Sequence, residues 1–246
     1  DCVAEEMPVA FEFNGISHAV MMATPADLED FAWGFSLTEG IVDSASQIHG
    51  LEVTTSPQGC TLHIEIAASC FARLKQVRRN MTCRTGCGLC GTESLTQAVR
   101  RPVPLRSAPE FNAGAVARAA QDLRARQLLL AATGATHAAA WCTPDGNIAL
   151  IREDVGRHNA LDKLVGALAR GRHAANEGFI TITSRASYEM AQKTVAAGVG
   201  LLVAVSGVTG LAVEVAQDAG LTLAGFARGN DVTIYSHPER LKLDTP

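Results

Sequence analysis

The chain has 246 residues, of which 47% are hydrophobic and 19% charged, enough to bury a proper core in one large domain or two small ones. Its net charge of -4 argues against wholesale binding to nucleic acid or to an anionic membrane. Seven cysteines is an odd count in a chain too large to need covalent staples, so reduced thiols in a cytoplasm are expected rather than a disulfide framework.

The N-terminal residues lack the basic-then-apolar pattern of a secretion signal. Residues 11–22 alternate around Asn14-Gly15, a strong signal for a two-residue hairpin turn. Thr24-Pro25-Ala26-Asp27 then reads as a helix start: a hydroxyl cap, a proline at the first helical position and an acid in the first turn. That helix carries Leu28, Phe31, Phe35 and Leu37 inward and stops near Gly40. A second hairpin pairs 50–55 with 60–67 across Ser56-Pro57-Gln58-Gly59. Residues 69–79 predict a short helix, followed by a cysteine loop over 81–92 and another short helix through Leu95 and Val99.

Arg101-Pro102-Val103-Pro104 interrupts both periodicities and is the expected linker. It divides the chain into 1–104, a smaller β-rich α+β domain, and 105–246, an α/β domain. In the second part Asn112 caps a long Ala/Arg/Leu helix that ends near Gly134. Strands at 136–142 and 147–152 turn at Pro144-Asp145-Gly146. Helix 157–170, strand 179–183, helix 188–197, strand 201–205 and helix 211–219 then alternate, and strands at 221–227 and 231–235 close the chain. Short apolar strands alternating with helices predict a partly parallel sheet covered on both faces. The apolar run from Val195 to Ala216 holds Ser206, Thr209 and Glu214 and is interrupted by glycines, so it reads as elements of that sheet and not as a membrane span.

The densest chemical signal is Thr85-Gly86-Cys87-Gly88-Leu89-Cys90-Gly91. The glycines strip bulk from around two thiols, leaving either sulfur open to a partner molecule. A structural zinc would need a second cysteine pair or histidines; His49, His63 and His137 are scattered, so no metal is expected. Cys83 upstream completes the three-cysteine spacing of radical iron–sulfur enzymes, but the chain lacks the long series of βα units such a barrel requires. A thioredoxin-like dithiol and a persulfide-carrying thiolate both fit an exposed, glycine-bracketed loop, and the residues alone do not separate them. Cys2, Cys60, Cys70 and Cys142 fall in strand or helix contexts and read as packing residues.

In the second half, Ser184-Arg185-Ala186-Ser187 and Ser206-Gly207-Val208-Thr209 each follow an apolar strand and open a helix. Such turns gather at the carboxyl edge of an open sheet, where free N–H groups, hydroxyls and Arg185 make a cradle for phosphate. A third segment runs Glu153-Asp154-Val155-Gly156-Arg157-His158-Asn159-Ala160-Leu161-Asp162-Lys163. Its carboxylates suit the N1 and N2 donors of a guanine, and Arg157 and Lys163 suit phosphates or a pterin. The expected ligand is anionic and nucleotide-like, with Arg157, His158, Asn159, Lys163, Ser184 and Arg185 as its contacts.

With these motifs in this order, the chain resembles the FdhD family, the formate dehydrogenase accessory sulfurtransferases. Supporting matches are Thr24-Pro25-Ala26-Asp27-Leu28-Glu29-Asp30-Phe31, Gly34-Phe35-Ser36-Leu37-Thr38-Glu39-Gly40 and Thr136-His137-Ala138-Ala139-Ala140. The resemblance implies a sulfur carrier that takes persulfide sulfur from a cysteine desulfurase onto Cys87 and Cys90. It implies delivery to the molybdenum (or tungsten) bis-guanine-dinucleotide cofactor before that cofactor enters the formate dehydrogenase catalytic subunit, with guanosine diphosphate as a mimic. A homodimer is implied too, as is a cytidine deaminase-like three-layer α/β/α fold for the second domain. The zinc residues of such deaminases are missing: His137 is followed by Ala138-Ala139, and there is no P-C-x-x-C. Two other functions stay open, a cofactor-binding chaperone that uses its cysteines only for docking, and the radical iron–sulfur enzyme.

Overall fold

Two larger sheets organise the chain in the computed structural model, which describes residues 2–82, 101–229 and 231–242. The first has the order β2-β1-β4-β3, from β1 (Met7–Phe13), β2 (Ile16–Ala23), β3 (Ile48–Ser56) and β4 (Gly59–Ile66). Strands β1 and β2 meet antiparallel across Asn14 and Gly15, whose φ of 46° and 79° supply the left-handed pair a tight hairpin needs. Alternation along β1 buries Val9, Phe11 and Phe13 on one face. Helix α1 (Leu28–Thr38) covers that face, setting Phe31 and Phe35 against Phe11 at ring-centroid distances of 4.9 and 4.2 Å. Each such phenyl ring contributes about 1.5–3 kcal/mol by leaving water. Helix α2 (Ala68–Thr82) adds Cys70 and Leu74 to the same core.

The expected helix start at Thr24-Pro25 is not used. Helix α1 begins at Leu28, with Asp27 at the cap position in the left-handed region (φ 54°) and making no side-chain cap bond. Thr24 is drawn into the second half, where its N–H donates to Asp154 Oδ2 (3.0 Å) and its Oγ1 accepts from the Val155 N–H (3.2 Å). A bond to a buried carboxylate outweighs a local cap of about 1 kcal/mol.

After the short β5 (Phe111–Asn112), Asn112 caps α3 (Ala113–Ala125) by accepting from the Ala115 N–H at 2.9 Å. The single long helix expected here is two, because α4 (Leu128–Thr133) starts anew on the Glu153 carboxylate, which accepts from the Leu129 and Leu130 N–H groups at 2.9 Å. An anion at a helix N-terminus neutralises its dipole and makes the break favourable.

The second sheet has the order β11-β10-β9-β8-β6-β7. Its elements are β6 (His137–Cys142), β7 (Ile148–Asp154), α5 (Arg157–Arg170), β8 (Phe179–Ile182), α6 (Tyr188–Ala196), β9 (Leu201–Ala204), α7 (Gly210–Ala219), β10 (Thr222–Arg228) and β11 (Asp231–Ser236). A final β12 (Leu241–Lys242) pairs with β5. Ile180, Ile182 and Leu202 face the helices α5, α6 and α7, while Phe179, Leu201 and Val203 face α3. The sheet is thus the middle of three layers, in a mixed α/β fold.

The two halves meet where α1 crosses α5. A Cβ at Gly34 would lie 1.6 Å from the Asp162 carbonyl oxygen, and one at Gly166 would lie 1.8 Å from that of Asp30. Only glycines let the two backbones touch. Asp30 adds ion pairs to Arg152 (2.6 Å) and Arg170 (2.5 Å) across the same seam. Among the described residues no helix is long and apolar enough to cross a membrane.

Candidate functional site

Strand β6 is antiparallel to both β7 and β8, and β8, β9 and β10 are mutually parallel. Strands β7, β8, β9 and β10 therefore end at one edge, and β6 begins there with His137 paired to Asp154. The three polar segments singled out in the sequence come together at this edge. The turns after β8 and β9 are joined by a parallel bridge, with Ala186 N–H donating to Gly207 O (3.0 Å) and Thr209 N–H to Ala186 O (3.1 Å). The Phe226 N–H donates to Ser206 O (2.9 Å) and ties in the end of β10.

Three helices start from these turns, and they differ. Helix α7 is capped by Thr209, whose side chain accepts from the Ala212 N–H. Helices α5 and α6 have no side-chain cap, at Gly156 and Ser187 respectively. Among the described residues, Ser187 Oγ is buried without a hydrogen-bond partner, as is Arg157 Nε. Buried polar atoms left open in this way mark a place where a ligand or water completes the bonding. Arg185 is exposed beside them, and Ser184 is buried with its Oγ donating to Arg185 O (3.1 Å). Two open helix N-termini and two guanidinium groups at one edge favour an anion.

His158 and His137 border this cradle. His158 Nε2 is 2.7 Å from Glu189 Oε2, a contact of ion-pair length that lies outside hydrogen-bond alignment. Burial holds the His158 imidazole below its ordinary value; Glu189 pulls against this and Arg157 reinforces it. Burial lowers His137 as well, again with help from Arg157. Burial thus biases both rings toward the neutral form.

The remaining expected contacts point inward. Lys163 is fully buried, bonded to Asp154 Oδ2 (2.6 Å) and Thr24 O (2.8 Å). Asn159 Nδ2 donates to Asp154 Oδ1 (2.9 Å) and Met22 O (2.8 Å). The carboxylates expected to read a guanine are likewise engaged: Glu153 caps α4 and accepts from Thr136 Oγ1 (2.9 Å), and Asp162 is held by Thr38 (2.6 Å) and Lys193 (2.9 Å). Each is engaged by other groups of the fold, most of them distant in sequence. Glu189, about half exposed, is the carboxylate of these segments that faces the edge.

One residue of the edge escaped the sequence reading. Phe226 lies at a bulge in β10 with φ 50° and 46% of its surface exposed. A Cβ on Gly207 would meet its ring at 3.1 Å, so the phenyl lies over the turn that leads to α7. An exposed aromatic held in the left-handed region is strained and is suited to stacking on a heterocycle. Its signal in the sequence was hidden because it reads as one more apolar residue of a strand.

Cys83, Cys87 and Cys90 lie outside the described residues. Of the others, Cys60, Cys70 and Cys142 are buried and Cys2 is exposed. Burial pushes the Cys142 thiol up to about 12, so it is no nucleophile at neutral pH. Helix α2, which leads toward the cysteine loop, is fixed by Arg73 to Ile41 O and Asp43 (both 3.1 Å). Those residues follow Glu39, whose carboxylate bonds Lys193 of α6 at 2.7 Å.

The model of the FdhD/NarQ family matches residues 4–242. A sulfur carrier protein FdhD of Variovorax paradoxus is 59% identical over 241 residues, covering 98% of this chain and 87% of the relative. One from Cupriavidus necator is 56% identical over 242 residues, covering 98% and 84%. A solved structure from Desulfotalea psychrophila, described as a formate dehydrogenase accessory protein, superposes with a TM-score of 0.74 at 23% identity, covering 98% of this chain and 90% of that one. At that identity the likeness shows the fold.

Proposed function

Because the chain belongs to the FdhD/NarQ family, we propose that it is a sulfur carrier in formate dehydrogenase maturation, one that loads a persulfide on Cys87 or Cys90 and hands the sulfur to a bound metal cofactor. The observation that carries this reading is the edge itself: two uncapped helix N-termini, Arg157, Arg185 and the strained Phe226 gathered where β7, β8, β9 and β10 end. The substrate on this reading is the molybdenum bis-guanine-dinucleotide cofactor. Its diphosphates suit the helix N-termini and guanidinium groups, and its heterocycles suit the Phe226 ring.

In the loading step a thiolate attacks the outer sulfur of the desulfurase persulfide. A new S–S bond forms on Cys87 or Cys90, the old one breaks, and the desulfurase cysteine leaves as a thiolate. No oxidant is required. Residues 1–104 act as the carrying unit and 105–246 as the unit that presents the cofactor. The partners are the cysteine desulfurase, the formate dehydrogenase catalytic subunit and a second copy of the chain, all in the cytoplasm.

Incubation with a cysteine desulfurase and cysteine, followed by mass spectrometry of the peptide holding Cys87 and Cys90, is expected to show added sulfane sulfur. An unmodified peptide, when a known carrier loads in parallel, overturns the persulfide reading. Formate dehydrogenase activity that survives replacement of both cysteines by serine points instead to a cofactor-binding chaperone.

A further inference from the structure

Asn159, Lys163 and Asp154 belong to the same polar motif as Arg157 and His158, yet they face away from the edge. We propose that Asp154, with Asn159, Lys163 and Thr24, is a positioning hub that aims Arg157 and His158 at the anion bound on the sheet edge. The inference rests on the ligand reading above.

Asp154 is fully buried and accepts from four directions. Its Oδ1 takes the Gly156 N–H (2.7 Å) and Asn159 Nδ2 (2.9 Å); its Oδ2 takes the Thr24 N–H (3.0 Å) and Lys163 Nζ (2.6 Å). One carboxylate therefore joins the end of β7, the first turns of α5 and the Thr24 loop of the other half. Lys163 and Asn159 tighten the arrangement by reaching the carbonyls of Thr24 (2.8 Å) and Met22 (2.8 Å). Every lone-pair direction of the carboxylate is used, which is how a buried charge keeps one geometry.

Gly156 transmits this to the site. It stands between Asp154 and Arg157, and a Cβ there would lie 2.8 Å from Asn159 Nδ2 and 3.1 Å from Asn159 Cγ. The clamped Asn159 amide cannot give way without breaking its bonds to Asp154 and Met22. Val155 is held on the other side by Thr24 Oγ1 (3.2 Å). The backbone leading into Arg157 is thus fixed from the interior, while Arg157 Nε has no hydrogen-bond partner among the described residues. Preorganising a cation in this way spares the ligand the cost of ordering it.

The test uses the full chain, with guanosine diphosphate as probe, calorimetry for affinity and NMR for the His158 ring. Arg157→Ala is expected to weaken binding by about tenfold or more, the loss of one charge-assisted contact. Gly156→Ala is expected to weaken binding to a similar extent and to move the His158 resonances before any ligand is added. Wild-type affinity in Arg157→Ala sinks the ligand reading itself. Loss in Arg157→Ala with none in Gly156→Ala overturns the hub alone. Weakened binding with unmoved His158 resonances also overturns it. Should Gly156→Ala not fold, Thr24→Val takes its place: it keeps the shape, removes the hydroxyl bonded to Val155 and is expected to weaken binding severalfold, and unchanged affinity there overturns the hub.

Discussion

Arg157 and Lys163 are cations of one motif on one helix, and the fold uses them in opposite ways. Lys163 is buried against Asp154 and the Thr24 carbonyl. Arg157 stands in the first turn of α5 with a buried Nε that nothing among the described residues completes. The same contrast separates Thr209, which caps its own helix, from Ser187, which does not. A polar group is structural where the fold supplies its partners, and it is available for binding where it does not. Charge and hydroxyl content alone do not make that distinction.

The largest effect is expected at the closed end of the contrast. Lys163→Met leaves the Asp154 carboxylate buried without its cation and should cost about 3–5 kcal/mol in urea denaturation. Arg157→Ala leaves no buried charge without its partner and should change stability by far less, about 1 kcal/mol or under. Equal losses would erase the distinction between the two cations.

A middle-sized effect sharpens the open end. Phe226→Ala should weaken guanosine diphosphate binding by roughly 1–3 kcal/mol, the loss of one base–aromatic stack, and leave inorganic pyrophosphate binding unchanged. Arg157→Ala should weaken both ligands. If pyrophosphate also suffers from the loss of Phe226, the ring supports the turn instead of stacking on a base.

The smallest effect is in the pH dependence. His158 and His137 are held below the ordinary histidine value, so the unfolded chain takes up protons where the folded one does not. Their contribution to stability is present in full above about pH 6.5 and is lost as pH falls from there through the depressed folded values. Glu189→Gln removes the carboxylate that opposes burial at His158, so His158 should titrate at still lower pH while His137 stays in place. A rise at His158, followed by NMR, would show that Glu189 is not the group that faces it.

Much of the fold was legible because its signals are local. Asn14-Gly15 marks the hairpin through the φ values that the turn demands. The strand and helix alternation from Arg157 to Ala219 was legible because short apolar runs and helical stripes have different periods. The misread helix ends share one cause. Thr24 and the break before α4 are set by Asp154 and Glu153, more than a hundred and more than twenty residues away respectively. No window around either position contains that carboxylate.

By itself the sequence determined most of the elements, the carboxyl-edge position of the polar turns and the family, since each rests on periodicity or on contiguous motifs. Only the tertiary structure decided which members of the motif from Glu153 to Lys163 stay at the sheet edge and which turn inward. That depends on the glycine crossing of α1 over α5, which brings Thr24 and Met22 within hydrogen-bonding reach of Asp154, Asn159 and Lys163 and withdraws those side chains from the surface. The left-handed bulge that exposes Phe226 over Gly207 is likewise a product of strand pairing, because register is fixed between strands and not along one of them.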